Sequence, residues 1–221
     1  MNKYYLIATL FVLALVGETA EASSWGLRKR KKMKSDTTTT IKDSYSDWVK
    51  KAETRDGMLR IHRIDKDWYF EISDSVFNRD LLIVNKVSGV PYELNDAGLN
   101  KGMSYEDKMI RFRKDIVHGK VWVTTWNPRV SVPEGDAIAR SVKDNYREAV
   151  IEQFPIERFN SDSTAIVVKV NKVFDGSEKS FNDLFGGISL SSASLKKDLS
   201  RIDGMKAVPQ NVVVKSFLTA Q

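Results

Sequence analysis

Residues 57–87 read GMLRIHRIDKDWYFEISDSVFNRDLLIVNKV, and this stretch decides the fold. Apolar and polar residues alternate on both sides of Asp65 and Lys66, which is the pattern of two strands with one buried and one solvated face. The two-residue spacer has the length of a hairpin turn. The run from Leu81 to Val84 is apolar at every position, which predicts a strand in the middle of a sheet.

The rest of the chain predicts further strands and a few short helices. Residues 109–126 repeat the hairpin pattern, with a turn at 117–120, and residues 163–174 and 211–218 read as strands. A short helix is expected over residues 44–52, where Tyr45, Trp48, Val49 and Ala52 share one face. Residues 136–154 are ambiguous: a four-residue repeat favours a helix as far as Arg147, and Pro155 favours an extended segment after it.

These patterns predict a mainly β fold (α+β), with one or more antiparallel sheets, a short N-terminal helix and one or two other short helices. We expect a small helix-plus-hairpin domain over residues 41–90 and a β-rich second domain over 91–221. The strand at 211–218 is apolar on both faces and has only Lys215 to protect its edge. We therefore expect the second domain to be incomplete at its C-terminal end, with the missing neighbour supplied in a longer relative.

The first 22 residues have the three parts of a secretory signal peptide. Lys3 precedes an apolar segment at 6–17, and the sequence Ala20-Glu21-Ala22 fits a cleavage site. Such a segment is too short for a membrane anchor, which needs about 20 apolar residues. The sequence predicts an exported protein, periplasmic or extracellular, with no transmembrane segment after cleavage.

A basic tail and linker is expected over residues 23–40. Residues 28–34 read RKRKKMK, and the net charge of the whole chain is +6, so this run accounts for the excess of cations. A nucleic-acid-binding domain carries its positive charge on a folded face, so we expect no nucleic-acid partner. The run is either a solvated tail or a loose contact with anionic lipid or polysaccharide. Its candidate surface contacts are Arg28, Lys29, Arg30, Lys31 and Lys32.

Catalytic motifs are missing from the sequence. There is no cysteine, no H-E-x-x-H zinc motif, no G-x-S-x-G elbow and no phosphate-binding loop. His62 falls on the polar face of a strand and His118 in a turn, and we expect both to be solvated rather than metal ligands. We therefore predict no catalytic residue, no cofactor and no bound metal in this chain.

Two tryptophans are candidate contacts for a ligand. Trp122 and Trp126 are four residues apart on a predicted strand, which places them on the same face. Aromatic rings on such a face could stack on a peptide or a glycan, although aromatic residues on strands usually belong to the core.

The hairpin stretch also carries a resemblance. The order YSDW, then residues 57–89, then MIRFRK resembles the paired N-terminal domains of unknown function of secreted bacterial zinc-dependent metalloproteases. The matching positions are Gly57, Met58, Ile61 and His62, the YFEI segment at 69–72, the RDLL segment at 79–82, and later AIVVKVNKVFDG and VPQNVVVKSF. The resemblance covers residue 41 to the end of the chain.

The resemblance implies a non-catalytic scaffold or cover for a protease domain. The zinc motif of that family belongs to a catalytic domain that would follow, so the implied partner is a downstream metalloprotease domain of the same polypeptide and the zinc is expected only there. The chain would be a fragment or a shortened relative of such a protease. The alternative is a stand-alone exported β-rich module that binds peptide or glycan.

Overall fold

The computed structural model describes residues 44–96, 98–127, 129–130, 132–133, 135–183 and 195–219. Eight of the strands in these residues form one antiparallel sheet in the order β1-β2-β3-β8-β7-β6-β5-β4, and the other two, β9 and β10, form a hairpin. The strands are β1 (Glu53–Arg55), β2 (Arg60–Ile64), β3 (Asp67–Ser73), β4 (Leu81–Lys86), β5 (Ser104–Asp115), β6 (Lys120–Thr125), β7 (Ala149–Phe159), β8 (Ala165–Lys169), β9 (Arg201–Val208) and β10 (Asn211–Phe217).

The predicted mainly β, antiparallel fold is confirmed. The α-helices in the described residues are short: α1 (Tyr45–Lys50), α2 (Tyr92–Asp96) and α3 (Ala139–Asn145), with 3-10 turns at Asn171–Val173 and Lys197–Leu199. None of the helices in this part of the chain has the length and hydrophobicity needed to cross a bilayer. The expected signal peptide, basic tail and linker lie outside the described residues.

The β2–β3 hairpin forms where the alternation predicts it. Asp65 adopts a positive φ of 54°, which a two-residue hairpin turn requires and which Asp tolerates better than most residues. A later residue fastens this turn: the Asn171 side chain donates to the Lys66 carbonyl and accepts from the Trp68 amide, both at 2.8 Å.

The prediction that residues 81–84 lie in the middle of a sheet is wrong. Among the described residues, β4 is an edge strand whose one paired neighbour is β5, and its side chains that pack on the core are Leu81 and Ile83. Leu82 and Val84 are 60% and 48% exposed on the outer face. Local composition cannot predict this position because the order of strands depends on pairings with distant segments.

The ambiguous stretch at 136–154 contains both structures. Helix α3 ends at Asn145 and strand β7 begins at Ala149. The stretch therefore contains a helix followed directly by a strand, rather than one or the other. The first part of β7 pairs with β6 as far as Pro155, and the part from Ile156 pairs with β8. Pro155 has no amide hydrogen to donate, which suits a position where the strand changes neighbours and the sheet curls.

The core lies on the inner face of this curled sheet. Its largest fully buried side chains come from several strands and include Phe154, Ile61, Ile72, Ile166 and Met205. Met205 belongs to β9, so the β9–β10 hairpin contributes to the same core as the sheet. The sheet is continuous across residue 90, since β3 from the first expected domain pairs with β8 from the second.

The last strand is half-covered. β10 pairs with β9 and, within the described residues, has no strand on its other side. Val212 and Val214 pack on the core, while Val213 and Phe217 remain about half exposed on the outer face.

Candidate functional site

The outer face of strands β4, β5 and β6 carries large apolar side chains. Leu82 pairs directly with Met109 across β4 and β5, and Trp126 follows the end of β6 beside them. Because Ile110 and Phe112 point into the core, the odd-numbered residues of β5 must face outward. An apolar surface therefore faces solvent at the edge of the sheet.

This surface forms a shallow groove of about 550 Å³. We call it the β4–β6 groove, and it is lined by Leu82, Asp107, Lys108, Met109, Thr125, Trp126, Asn127, Arg147 and Ala149. Its lining combines apolar side chains with polar and charged groups, which is typical of a surface that binds another molecule.

A network of ion pairs lies beside the groove on the same face. Glu148 accepts hydrogen bonds from Arg111, from Arg113 at 2.6 Å and from Thr124 at 2.7 Å. Burial opposes ionisation of Glu148, but these donors outweigh burial and lower its pKa. The carboxylate is therefore held charged and fixed in place.

Trp126 is tied into this network. The Arg111 guanidinium lies 4.4 Å from the centre of the indole ring, and the indole N–H donates to Asp80 at 3.1 Å. Arg111 also pairs with Asp80, and that hydrogen bond raises the pKa of Arg111. The hydrogen bond to Asp80 and the Arg111 guanidinium over the ring therefore fix the indole, which forms a rigid side of the groove.

Arg147 differs from its neighbours. Its side chain is exposed, lines the groove and has no polar partner among the described residues, whereas Arg111 and Arg113 are both ion-paired. Asp107, directly across from Val84, likewise has no polar side-chain partner in the described part of the chain. The groove therefore offers one positive and one negative group to a partner.

The structure separates the two tryptophans that the sequence singles out. Both lie on the outer face, but Trp122 pairs across from Arg113 and donates its indole N–H to Asp115 at 2.8 Å. Trp122 does not line the groove, which places only Trp126 in the candidate site. The other candidates, Arg28, Lys29, Arg30, Lys31 and Lys32, lie outside the described residues.

The prediction that His62 is solvated is wrong. Its side chain is 0% exposed, because helix α1 covers the outer face of β2 and β3. Nε2 lies 2.7 Å from Glu71 Oε2, and Nδ1 lies 2.8 Å from the Thr54 hydroxyl. The Trp48 ring contacts the imidazole edge-on, with centroids 5.1 Å apart. His118, in contrast, is exposed in its turn as expected, beside Asp115.

Glu71 is the common acceptor of this buried cluster. The Tyr45 hydroxyl donates to it at 2.6 Å, and Arg60 donates to its other oxygen at 3.3 Å. Burial raises the pKa of Glu71, but the hydrogen bonds from His62 and Tyr45 outweigh it and the net shift is downward. Burial and the same carboxylate raise the pKa of Tyr45 to about 12. This cluster fastens α1 to the sheet and leaves no free polar atom of His62 for a ligand.

No three His, Asp or Glu side chains in the described residues are grouped so that they could hold a metal ion. The β4–β6 groove supplies apolar area, a fixed indole and two charges, which together suit recognition of another chain.

Sequence reasoning missed most of this site. Arg111 and Arg113 alternate with Ile110 and Phe112 in the sequence, but that pattern identifies no site, and the apolar run at 81–84 predicts a sheet interior for Leu82. Arg147 carries no signal of its own, because it enters the groove only through the packing of the segment between α3 and β7 on the sheet.

Two family models match the chain. One, described as a domain of unknown function (DUF5117), matches residues 102–221, and another, described as a domain of unknown function (DUF5118), matches residues 42–90. The expected pair of domains of unknown function is therefore confirmed, and neither description mentions proteolysis. No curated protein and no solved structure matches the chain significantly.

Proposed function

The chain belongs to the family described as a domain of unknown function (DUF5117), and we propose that it is the non-catalytic N-terminal region of an exported zinc-dependent metalloprotease. In this proposal it docks on the protease domain of the same polypeptide and covers or scaffolds it. The zinc belongs to that catalytic domain, and no residue of this chain is assigned to it.

The resemblance to the metalloprotease N-terminal regions supports the proposal, since its positions have structural roles here. Gly57 lies against the backbone of Val208, and a Cβ at this position would lie 2.7 Å from the Val208 carbonyl oxygen. Ile61 is in the core, and His62 belongs to the buried cluster under α1. A protein that shares these residues is expected to share the fold, and with it the outer face of β4–β6.

The exposed apolar floor of the β4–β6 groove is the observation that carries the proposal. Leu82 lines the groove and is 60% exposed, and Val84, two residues further along the same edge strand, is 48% exposed. Apolar side chains of this kind at a sheet edge favour aggregation unless a partner covers them. A neighbouring protein domain provides such cover, whereas a small polar ligand would leave most of the apolar area exposed.

Titration calorimetry tests the docking. The chain from residue 23 onward is titrated into a separately produced catalytic domain of a metalloprotease that carries the same two N-terminal domains. We expect saturable binding that Leu82→Asp weakens by at least about tenfold, because a charge would be buried in the interface.

Leu199→Asp is the matched control. Leu199 is 61% exposed against 60% for Leu82, but it lies in the 3-10 turn before β9 and not in the groove. Equal loss of binding in both variants, or no binding by the unmodified chain, would contradict the proposal.

The second candidate is a stand-alone exported module that binds peptide or glycan. The observation in its favour is that Trp126 lines an open groove rather than the core. Binding of an extended peptide or an oligosaccharide in the groove, together with no binding to any metalloprotease domain, would favour this candidate.

A further inference from the structure

The outer face of the β9–β10 hairpin carries apolar and charged side chains side by side. One set of alternate residues on the two strands packs on the core, so the other set faces outward. The outward apolar residues are each between 40% and 50% exposed, and they are Val208, Val213 and Phe217. The outward charged residues are Arg201, Asp203, Lys206 and Lys215.

The cations of this face are interleaved with its apolar residues. Lys206 lies directly across from Val213, and Arg201 lies directly across from Phe217. The Arg201 guanidinium is 4.4 Å from the centre of the Phe217 ring. The charges are therefore within the apolar surface and do not form a rim around it.

The carboxylate on this face does not neutralise it. Asp203 pairs with Arg201 at 3.1 Å, and its other oxygen lies 3.9 Å from the Lys215 ammonium. Lys206 has no charged partner in the part of the chain that the structure describes. With three cations and one anion, the face has two positive charges in excess.

A lipid surface with anionic headgroups fits this face better than a protein domain does. Lysine is depleted in the buried centre of protein–protein interfaces, yet Lys206 lies between Val208 on its own strand and Val213 across from it. A membrane surface accepts both kinds of side chain, because apolar groups enter the acyl boundary while ammonium groups stay at the phosphates.

The sequence supplies a second attraction to such a surface. Residues 28–34 carry six cations, and a polybasic segment is drawn to anionic lipid. Stable attachment to a membrane usually takes two weak signals, one of which can be a polybasic segment. The basic run and the hairpin face supply two such signals in one chain.

We propose that the outer face of the β9–β10 hairpin binds the surface of a membrane that contains anionic lipid. Val213 and Phe217 lie at the acyl boundary in this arrangement, and Lys206 and Lys215 contact the phosphates. The inference goes beyond the proposed function and does not depend on it, because other strands form the β4–β6 groove.

Vesicle sedimentation tests the charge of the face. The chain from residue 23 onward is mixed with vesicles of phosphatidylcholine alone, or of phosphatidylcholine and phosphatidylglycerol in equal parts. We expect binding to the mixed vesicles that weakens as salt is added. Lys206→Glu together with Lys215→Glu should weaken that binding by about tenfold or more.

Lys66→Glu together with Lys101→Glu is the matched control. Both lysines are exposed, and they lie in the β2–β3 turn and in the loop before β5. This pair changes the net charge of the chain by the same amount as the hairpin pair, so a general effect of charge would appear in both. We expect the control pair to weaken binding by less than about threefold.

Phe217→Ser tests the apolar contact, and its thermal midpoint is measured alongside. If that midpoint falls, Val213→Thr takes its place, since threonine keeps the β-branched shape. We expect weaker binding to the mixed vesicles from the variant that keeps its midpoint. Glutamine at the six cationic positions of residues 28–34 should weaken binding without abolishing it.

Four results would overturn the inference. They are no binding to the mixed vesicles, equal losses in the two pairs of charge reversals, undiminished binding by the apolar variant, and binding that depends on the basic run alone. Binding to soluble dextran sulfate that is as tight as binding to the vesicles would also overturn it and make a polysaccharide the partner.

Discussion

At the scale of single residues, the Glu71 carboxylate is the group on which the position of α1 depends. It accepts from Tyr45 of the helix and lies in contact with His62 of β2, and it is almost fully buried. Removing one partner of such a buried group leaves the others unsatisfied, which costs more than the bond itself contributes.

We predict that Glu71→Gln lowers the free energy of unfolding at neutral pH by about 1.5–3 kcal/mol, the usual contribution of a hydrogen bond to a charged group. Because the folded-state pKa of Glu71 is lowered, its contribution is present above the unfolded pKa of about 4.3 and is lost as pH falls through the folded value. Thermal unfolding from about pH 5 downward should therefore show the variant and the unmodified chain converging.

Glu178→Gln is the control for this comparison. Glu178 is exposed, so its replacement should leave the thermal midpoint unchanged at each pH. The result would contradict the prediction if the thermal midpoints of Glu71→Gln and the unmodified chain differed by the same amount down to the lowest pH. The ionised carboxylate would then contribute no stability.

Sequence reasoning could place Glu71 and His62 on one face but could not tell that the face is buried. Their alternation with Ile61 and Phe70 defines the polar side of the hairpin correctly. Helix α1 covers that side. A helix this short is not stable in isolation, so the sequence gives no indication of where it docks.

At the scale of elements, residues 57–58, just before β2, contact the β9–β10 hairpin and connect it to the large sheet. The Met58 amide donates to the Val208 carbonyl at 2.9 Å. The preceding Gly57 lets these backbones approach, since its hydrogen faces Ala207 and Val208 where any side chain would clash.

We predict that Gly57→Ala destabilises the fold by about 1–3 kcal/mol, the range for overpacking at a close contact. The hairpin must move away from the sheet, because the clashing atoms belong to its backbone and to Ala207 Cβ and cannot rotate aside. Chemical denaturation of the variant and the unmodified chain, fitted with one shared m value, measures the loss in free energy of unfolding.

Gly89→Ala is the matched control. A Cβ at Gly89 would meet nothing within 4 Å, so we expect a change within about 0.5 kcal/mol. If both substitutions have the same effect, the approach of the hairpin at Gly57 contributes nothing to stability.

The elements were predictable where local chemistry decides them. The β2–β3 turn follows from two residues and α3 from a four-residue repeat, whereas Pro155 alone favours the extended segment that becomes part of β7. The position of β4 was not predictable, because an apolar run fits either a buried centre or an exposed edge that a partner covers. The alternation of β4 between core-facing Leu81 and outward Leu82 appears only when its pairing with β5 is known.

At the scale of the whole molecule, the fold has one face that packs on its own core and one that is only partly covered. Helix α1 covers the outer face at β2 and β3, where Trp48 contacts His62 and Tyr69. The outer face at β4–β6 has no such helix in the described residues and exposes Leu82 instead. The account therefore assigns docking to that end of the sheet.

Hydrogen exchange of the chain with and without the catalytic domain of a metalloprotease of the same domain arrangement tests this assignment most directly. We predict slower exchange at the amides of β4 and of residues 107–109 and 125–127, and unchanged exchange in β9 and β10. Unchanged exchange throughout the chain, or protection confined to the β9–β10 hairpin, would contradict the assignment of docking to the β4–β6 groove.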